Sequence, residues 1–255
     1  MPVPGPVPPS GGGGTARKIF GGLLSVFGVL GMLGGGALAA HAYSNSQQDV
    51  HNSAYGAVLW RNETADELFP ATVGDPSYEA SDKKIAQWSR MGISQDTSCS
   101  KGLSGETKET ALKLGCEAVL RATYVDLTGE MVATVAVIVL PEGGTGAEKM
   151  AEYLQGQESE VFPDAAVVPY AVPDTLAAKW QENRRNGMGA EPYTGSPEFP
   201  YAIAATTGAV DGRTQGNLPG EFGSYGADDE DKTPWMDAAH ALSQTFATHF
   251  RDLER

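Results

Sequence analysis

The sequence predicts an α+β protein with a largely antiparallel sheet and packed helices, preceded by one N-terminal transmembrane helix. Three observations predict it. Two β-branched, apolar runs, CEAVLRATYV and MVATVAVIVL, flank the turn Asp126-Leu127-Thr128-Gly129, the pattern of a long hairpin. Helical and strand-like segments are interleaved without the regular β-α-β alternation of a parallel sheet. An uncharged apolar run near the N-terminus directly follows two basic residues.

Composition narrows the class further. The 255 residues are 41% hydrophobic and 20% charged, too apolar for disorder throughout, and two cysteines are too few for a disulfide scaffold. The net charge of −14 gives no basic face for phosphates, so no nucleic-acid partner is expected. The charge is also unevenly placed. Arg17 and Lys18 are the only charged side chains up to Ala42, so everything beyond carries two more negative charges than the whole chain. Basic flank, apolar run and acidic domain is the order of an exported protein.

Residues 1–18 open with MPVPGPVPPSGGGG, a proline- and glycine-rich stretch that cannot form a core and reads as a disordered cytoplasmic tail. Pro6 and Pro9 have P-x-x-P spacing, the minor alternative being a docking site for a proline-recognition domain. Residues 19–40 hold no charge, and 22 residues make a helix about 33 Å long, matching a hydrocarbon layer of about 30 Å. Arg17 and Lys18 then place the N-terminus in the cytoplasm and the acidic part outside the plasma membrane. Ala40-His41-Ala42 also fits a signal-peptidase site, which would release a free secreted protein beginning at Tyr43. The full spanning length and the long proline-rich lead favour the uncleaved anchor. Within it Gly31, Gly35 and Ala39 recur every four residues, a small-residue contact face for a membrane-protein partner or for self-association.

Residues 41–53 are polar and form a stalk, and residues 54–255 form one extracytoplasmic domain. Its first segment, AYGAVLWRNETADELF, has helical character. Further helices are expected at Ser81–Met91, Ser104–Leu114, over AEKMAEYLQGQ, at Asp174–Arg185 and at Pro234–Leu253. The last is the best marked, with Thr233 as N-cap, Pro234 in the first turn and a stripe of Met236, Ala239, Leu242, Phe246, Phe250 and Leu253 facing the core. Strands beyond the hairpin are expected at Ala165–Ala171 and Tyr201–Val210. MVATVAVIVL, apolar almost throughout, suits a central strand covered on both faces. Ile85-Ala86-Gln87-Trp88 loosely echoes Ala177-Ala178-Lys179-Trp180, which reads as two convergent amphipathic helices rather than a duplication.

Little in the chain points to catalysis. Cys99 and Cys116 lie outside the membrane in this topology, where a nearby pair favours a disulfide; closing the loop stabilises by about 3 kcal/mol on the chain-entropy argument. The pair lacks C-x-x-C spacing for redox work and lacks further ligands for a metal. His240 and His249 lie on opposite sides of one helix and share no metal; His41 lies at the membrane boundary and His51 in the stalk. Ser104 and Ser224 complete no G-x-S-x-G, and phosphate-binding loops are missing from the sequence. Catalytic, cofactor and metal residues are therefore not assigned, and no cofactor is expected. The run Asp228-Asp229-Glu230-Asp231 reads as a solvated acidic turn, with calcium a lesser alternative because the spacing is not that of an EF-hand.

Leu68-Phe69-Pro70, the tryptophan-bearing segment at Trp88, Cys99 and Cys116, Leu120-Arg121-Ala122-Thr123-Tyr124, and Gly208 through Asp211-Gly212-Arg213 occur in an order that resembles a group of single-pass exported proteins of high-GC Gram-positive, actinobacterial bacteria. The resemblance implies a membrane-tethered domain without an assigned activity, and it transfers no catalytic residue. The expected role is binding or assembly at the cell envelope, with the ligand open. The competing expectation is an exported or anchored cell-wall hydrolase working through paired carboxylates.

Overall fold

In the computed structural model, the described residues are 53–74, 86–158, 166–191, 199–213 and 229–253. The chain divides into two units, Met1–Val50 and His51–Arg255, and every described residue belongs to the second. The tail, the apolar span with Gly31, Gly35 and Ala39, and the stalk up to residue 52 lie outside the described residues. Among the described residues, no helix is long and apolar enough to cross a membrane.

In chain order the elements are α1 (Ser53–Gly56), α2 (Leu59–Asn62), α3 (Ala65–Leu68), β1 (Thr72–Gly74), β2 (Ala86–Ile93), α4 (Cys99–Gly102), α5 (Gly105–Lys113), β3 (Ala118–Asp126), β4 (Met131–Val139), α6 (Gly146–Glu158), β5 (Arg185–Ala190), β6 (Tyr201–Ala209) and α7 (Asp229–Leu253). The six strands form one sheet in the order β1-β2-β3-β4-β6-β5, and every neighbouring pair is antiparallel. The α+β expectation is therefore met. β3 and β4 form the expected hairpin, with Ala118 opposite Val139 and Val125 opposite Val132, and β4 is buried at all but its first residue.

Alternation along the strands builds two cores. Ala122 and Tyr124 of β3, Val135 and Val137 of β4, and Ile203 and Ala205 of β6 face α7, which presents Ala239, Leu242, Phe246 and Phe250. Their neighbours Val119, Ala136, Ile138, Ala202 and Ala204 face the opposite way, toward Leu103, Ala111, Met150 and Leu154 of the other helical layer. The helix α7 lies close to β5 because two of that strand's residues are glycines. A methyl group at Gly189 would sit 2.2 Å from the His240 amide nitrogen, and one at Gly187 only 2.5 Å from the Trp235 carbonyl carbon. Such approach of helix backbone to strand backbone is a use of glycine that no other residue shares.

Four of the sequence expectations are corrected here. Ala86–Met91 belongs to strand β2 and not to a helix; Trp88 is buried in the α7-facing core while its neighbours Gln87 and Ser89 are part-exposed, and a register shift between Arg90 and Gly92 breaks the alternation that would mark a strand in the sequence. The remainder of that expected helix, 81–85, lies outside the described residues. Ala165 lies outside the described residues, and over 166–171 the described chain makes an isolated bridge between Val167 and Leu103 in place of a strand. Pro169 and Pro173 deny this segment a ladder of amide donors, so it crosses the sheet as a strap.

Asp174–Arg185 is a turn, a short 3-10 helix over Glu182–Arg184 and then the start of β5. Thr175 competes with helix formation there: its hydroxyl donates to the Val172 carbonyl at 2.7 Å and accepts from the Ala177 amide at 3.1 Å. The two tryptophan segments thus share neither a helix nor an element type. Finally, α7 begins at Asp229, which places Pro234 inside the helix and removes Thr233 from the cap position. A proline this close to the start removes a single internal hydrogen bond, which the buried stripe outweighs.

Candidate functional site

The disulfide forms as expected. Cys99, first residue of α4, is bonded to Cys116, which precedes β3, with Cα atoms 6.3 Å apart. The Cys116 amide donates to the Ala111 carbonyl at 2.9 Å, so the bridge clasps α4 and α5 to the start of the hairpin. Gly102 makes that clasp possible, since a methyl group there would lie 2.6 Å from Val119 Cγ1.

Beyond the bridge, the strap from Ala166 to Trp180 covers a polar stripe on the second face of the sheet. At its start the strap bonds to backbone, the Val168 amide donating to the Gly102 carbonyl at 3.0 Å and the Ala166 carbonyl accepting from the Ser104 amide at 3.3 Å, and beyond that side chains meet it. Arg121 donates to the Val168 carbonyl at 2.9 Å, Thr123 donates to the Tyr170 carbonyl at 2.6 Å, and the Tyr170 amide donates to the Thr134 hydroxyl at 3.1 Å. The indole N–H of Trp180 donates to the same Thr134 oxygen at 2.9 Å. Thr123 and Thr134 stand opposite each other in the ladder with their hydroxyls 2.9 Å apart. Every buried group of this stripe has a partner except Arg121 Nε, which has none among the described residues.

Arg121 is 5% exposed, and burial pulls its pKa down while the Asp96 carboxylate opposes that. Asp96 itself is held well below the usual carboxylate range, first by its bond from Lys101 and then by the Ser98 hydroxyl and amide. The Lys101 ammonium lies 2.8 Å from it.

At one end of the sheet the strap and the hairpin turn present an apolar tip. Leu127, in the turn, is 67% exposed, and Leu176, at the apex of the strap, is 56% exposed. A methyl group at Gly129 would sit 3.6 Å from Leu176 Cδ1, so the two loops meet. Both are held rigidly. Asp126 accepts from the Glu130 and Met131 amides at 2.9 and 2.8 Å and from the Thr128 hydroxyl, while Gly129 takes φ +73°. The strap turn is fixed by the Thr175 bonds and by Asp174, the one non-glycine residue with positive φ among those described. Beneath the tip lies a small cluster of Val125, Val132, Ala177 and Trp180. The hairpin turn also carries Asp126 and Glu130, and the strap apex carries Asp174 and Lys179.

Neither exposed leucine was singled out by sequence. The available signal was Leu127 itself, an apolar residue in a turn position where glycine, asparagine or aspartate is usual.

Other titratable groups arrange themselves less suggestively. Glu63 and Glu67 are brought together around the capping box of Thr64, and the Tyr55 hydroxyl donates to Glu63. Contact with the Glu63 carboxyl, then the bonds from the Thr64 amide and hydroxyl, hold Glu67 below its usual pKa. A general acid for glycoside cleavage needs the opposite shift. The His249 ring meets the Glu67 carbonyl at 2.6 Å. Among the described residues no three His, Cys, Asp or Glu side chains converge in a way that would hold a metal ion. Asp228 is outside the described residues, and Asp229, Glu230 and Asp231 open α7 rather than forming a turn. No family model, curated protein or solved structure matches this chain.

Proposed function

We propose that the protein is a single-pass, membrane-anchored module whose extracytoplasmic domain acts by binding or assembly at the cell envelope. The rigid, solvent-exposed leucine tip carries the binding part of this reading. Exposed apolar side chains on fixed loops above a packed cluster lose little entropy on docking, the economy that interfaces use. The Cys99–Cys116 bridge supports the extracytoplasmic part, since structural disulfides persist in oxidising compartments. The charge-free run over 19–40 behind Arg17 and Lys18 supports the anchor.

Intact-mass measurement on separated membrane and medium fractions of the native cells tests the reading. A membrane-bound species that retains residues 19–40, two hydrogens lighter than the reduced chain, is the expected result. A soluble species beginning at Tyr43 replaces the anchor with the secreted alternative. A reduced, cytoplasmic species overturns the envelope assignment altogether.

A further inference from the structure

The bridge and the strap are joined by a continuous set of bonds. We infer that the Cys99–Cys116 disulfide is a redox latch for the strap. When a dithiol reductant opens it, residues 99–104 lift from β3 and carry residues 166–172 off the sheet, while the six strands stay paired. The inference stands apart from the binding reading above, since it concerns how the domain opens and not what it meets. Three observations carry it.

The first is where the strap is anchored. Among the described residues, the backbone bonds from 166–172 to other elements go to one short stretch: the Val168 amide to the Gly102 carbonyl, and the Ser104 amide to the Ala166 carbonyl. The isolated bridge of Val167 falls on Leu103, between those two.

The second is what holds that stretch in turn. The Leu103 amide donates to the Cys99 carbonyl at 3.2 Å, and Cys99 is covalently tied to Cys116, two residues before β3. Cys99, Leu103, Val119, Ala166 and Val167 share one buried cluster, with Cys116 packed against it. The chain before α4 has its own hold on the sheet, the Thr97 carbonyl accepting from the Val119 amide at 2.9 Å. Thr97 is therefore the pivot. Beyond it the Lys101–Asp96 pair is solvent-exposed and adds little.

The third is the contrast between strap and sheet. The rest of the strap's polar hold is single side-chain bonds, from Arg121 and Arg185 to the Val168 and Val167 carbonyls and from the threonines to Tyr170. β4 is paired along its whole length with β6 and from Val132 to Val139 with β3. A segment held by scattered bonds opens separately from one held by ladders.

The two sulfurs are not equivalent. Cys99 is 7% exposed and Cys116 is part-exposed, so a thiolate of the reductant attacks Cys116 Sγ. Cys99 leaves as a thiolate and takes up a proton. The second thiol of the reductant then attacks the mixed disulfide, and Cys116 leaves and takes up a proton. Two electrons and two protons pass to the bridge, and the dithiol becomes a disulfide.

Native-state hydrogen exchange of the full-length protein in neutral detergent, with and without dithiothreitol and over low denaturant concentrations, tests the inference. Reduction should speed exchange of the Val168 and Tyr170 amides by about tenfold or more. That exchange should depend little on denaturant, because opening the strap exposes little surface. The Val135 and Val137 amides of β4 should keep the steep dependence of global unfolding. Cys99→Ser with Cys116→Ser should match the reduced protein with or without reductant. Gly102→Ala, whose methyl would meet Val119, should loosen the same strap amides with the bridge intact. Leu112→Ser, at an exposed leucine on α5, is the control and should change none of them.

Strap amides indifferent to reduction overturn the inference. So does a common denaturant dependence for strap and β4 in the reduced chain, which would mean that the bridge acts through the unfolded state alone. Loss of the native far-UV circular dichroism on reduction would show that the sheet does not outlast the latch. Unchanged strap exchange in oxidised Gly102→Ala would show that residues 102–104 do not govern the strap.

Discussion

The hydroxyl of Ser243 on α7 donates to the Gly189 carbonyl of β5 at 3.0 Å and is also 2.9 Å from its own helix's Ala239 carbonyl. A serine buried in a helix face usually bonds only within its helix. Here it also reaches a strand, because the missing side chain at Gly189 lets the two backbones nearly touch. The helix is thus fixed to the sheet by polar contact at the point of closest approach and by the Phe246–Phe250 stripe elsewhere.

Gly189→Ala should therefore cost more than a usual surface change. The added methyl meets backbone, not a side chain that can swing away, so α7 must shift outward and stretch the Ser243 bond. Overpacking of this kind costs about 1–3 kcal/mol. Denaturant unfolding of the full chain, followed by tryptophan fluorescence, is the measurement. A midpoint equal to wild type would show that α7 is not seated as described.

Trp180 joins the strap to the sheet by two separable contributions. Its ring fills the space over Gly208, where a methyl group would lie 2.4 Å from Cζ3, and its N–H satisfies Thr134. Trp180→Phe removes the donor while keeping an aromatic ring and should cost about 1 kcal/mol, the net worth of one hydrogen bond. Trp180→Ala also empties the cavity and should cost about 3–5 kcal/mol. Comparable losses in the two variants would mean that the hydrogen bond, not the packing, holds the strap.

Replacing Cys99 and Cys116 together by serine should destabilise by about 3 kcal/mol, from the entropy returned to the unfolded chain. The sequence separation is 17 residues, so the effect belongs to a modest loop. The same loss should follow when a reductant is added to wild-type protein, and the double variant should be indifferent to it. A reductant effect that survives in the variant would point away from this bridge.

The hairpin, the central burial of β4, the bridge and the long last helix were legible because each rests on local signals. β-branched runs, a glycine turn, an even cysteine pair and a three- and four-residue apolar stripe all survive burial. What was not legible depended on neighbours distant in sequence. Trp88 sits in a strand because β1 and β3 flank it, whereas its own segment lacks a β-branched residue until Ile93. The strand β5, RNGMGA, was hidden because its glycines are there to admit α7, and glycine weakens any strand signal. The tip was missed for a related reason. Leu176 looked like one apolar position of a helix, and only the Thr175 bonds and the left-handed Asp174 turn it outward.

Asp96 supplies a pH dependence whose sign can be worked out. Its folded-state pKa is depressed, chiefly by the bond from Lys101 and then by Ser98. A depressed carboxylate contributes stability that is present above the unfolded value of about 3.9 and is lost as pH falls through the folded value. Asp96→Asn keeps an acceptor for Ser98 but loses the charge that Lys101 and the buried Arg121 feel. The variant should therefore melt below wild type at pH 6, and the gap should narrow steadily as pH is lowered beneath about 4. Because the carboxylate is solvent-accessible, salt should shrink the gap at pH 6 as well. Thermal unfolding of both proteins across that range decides the matter. A gap that stays constant with pH would show that position 96 acts through its hydrogen bonds alone and that Arg121 draws no stabilisation from it.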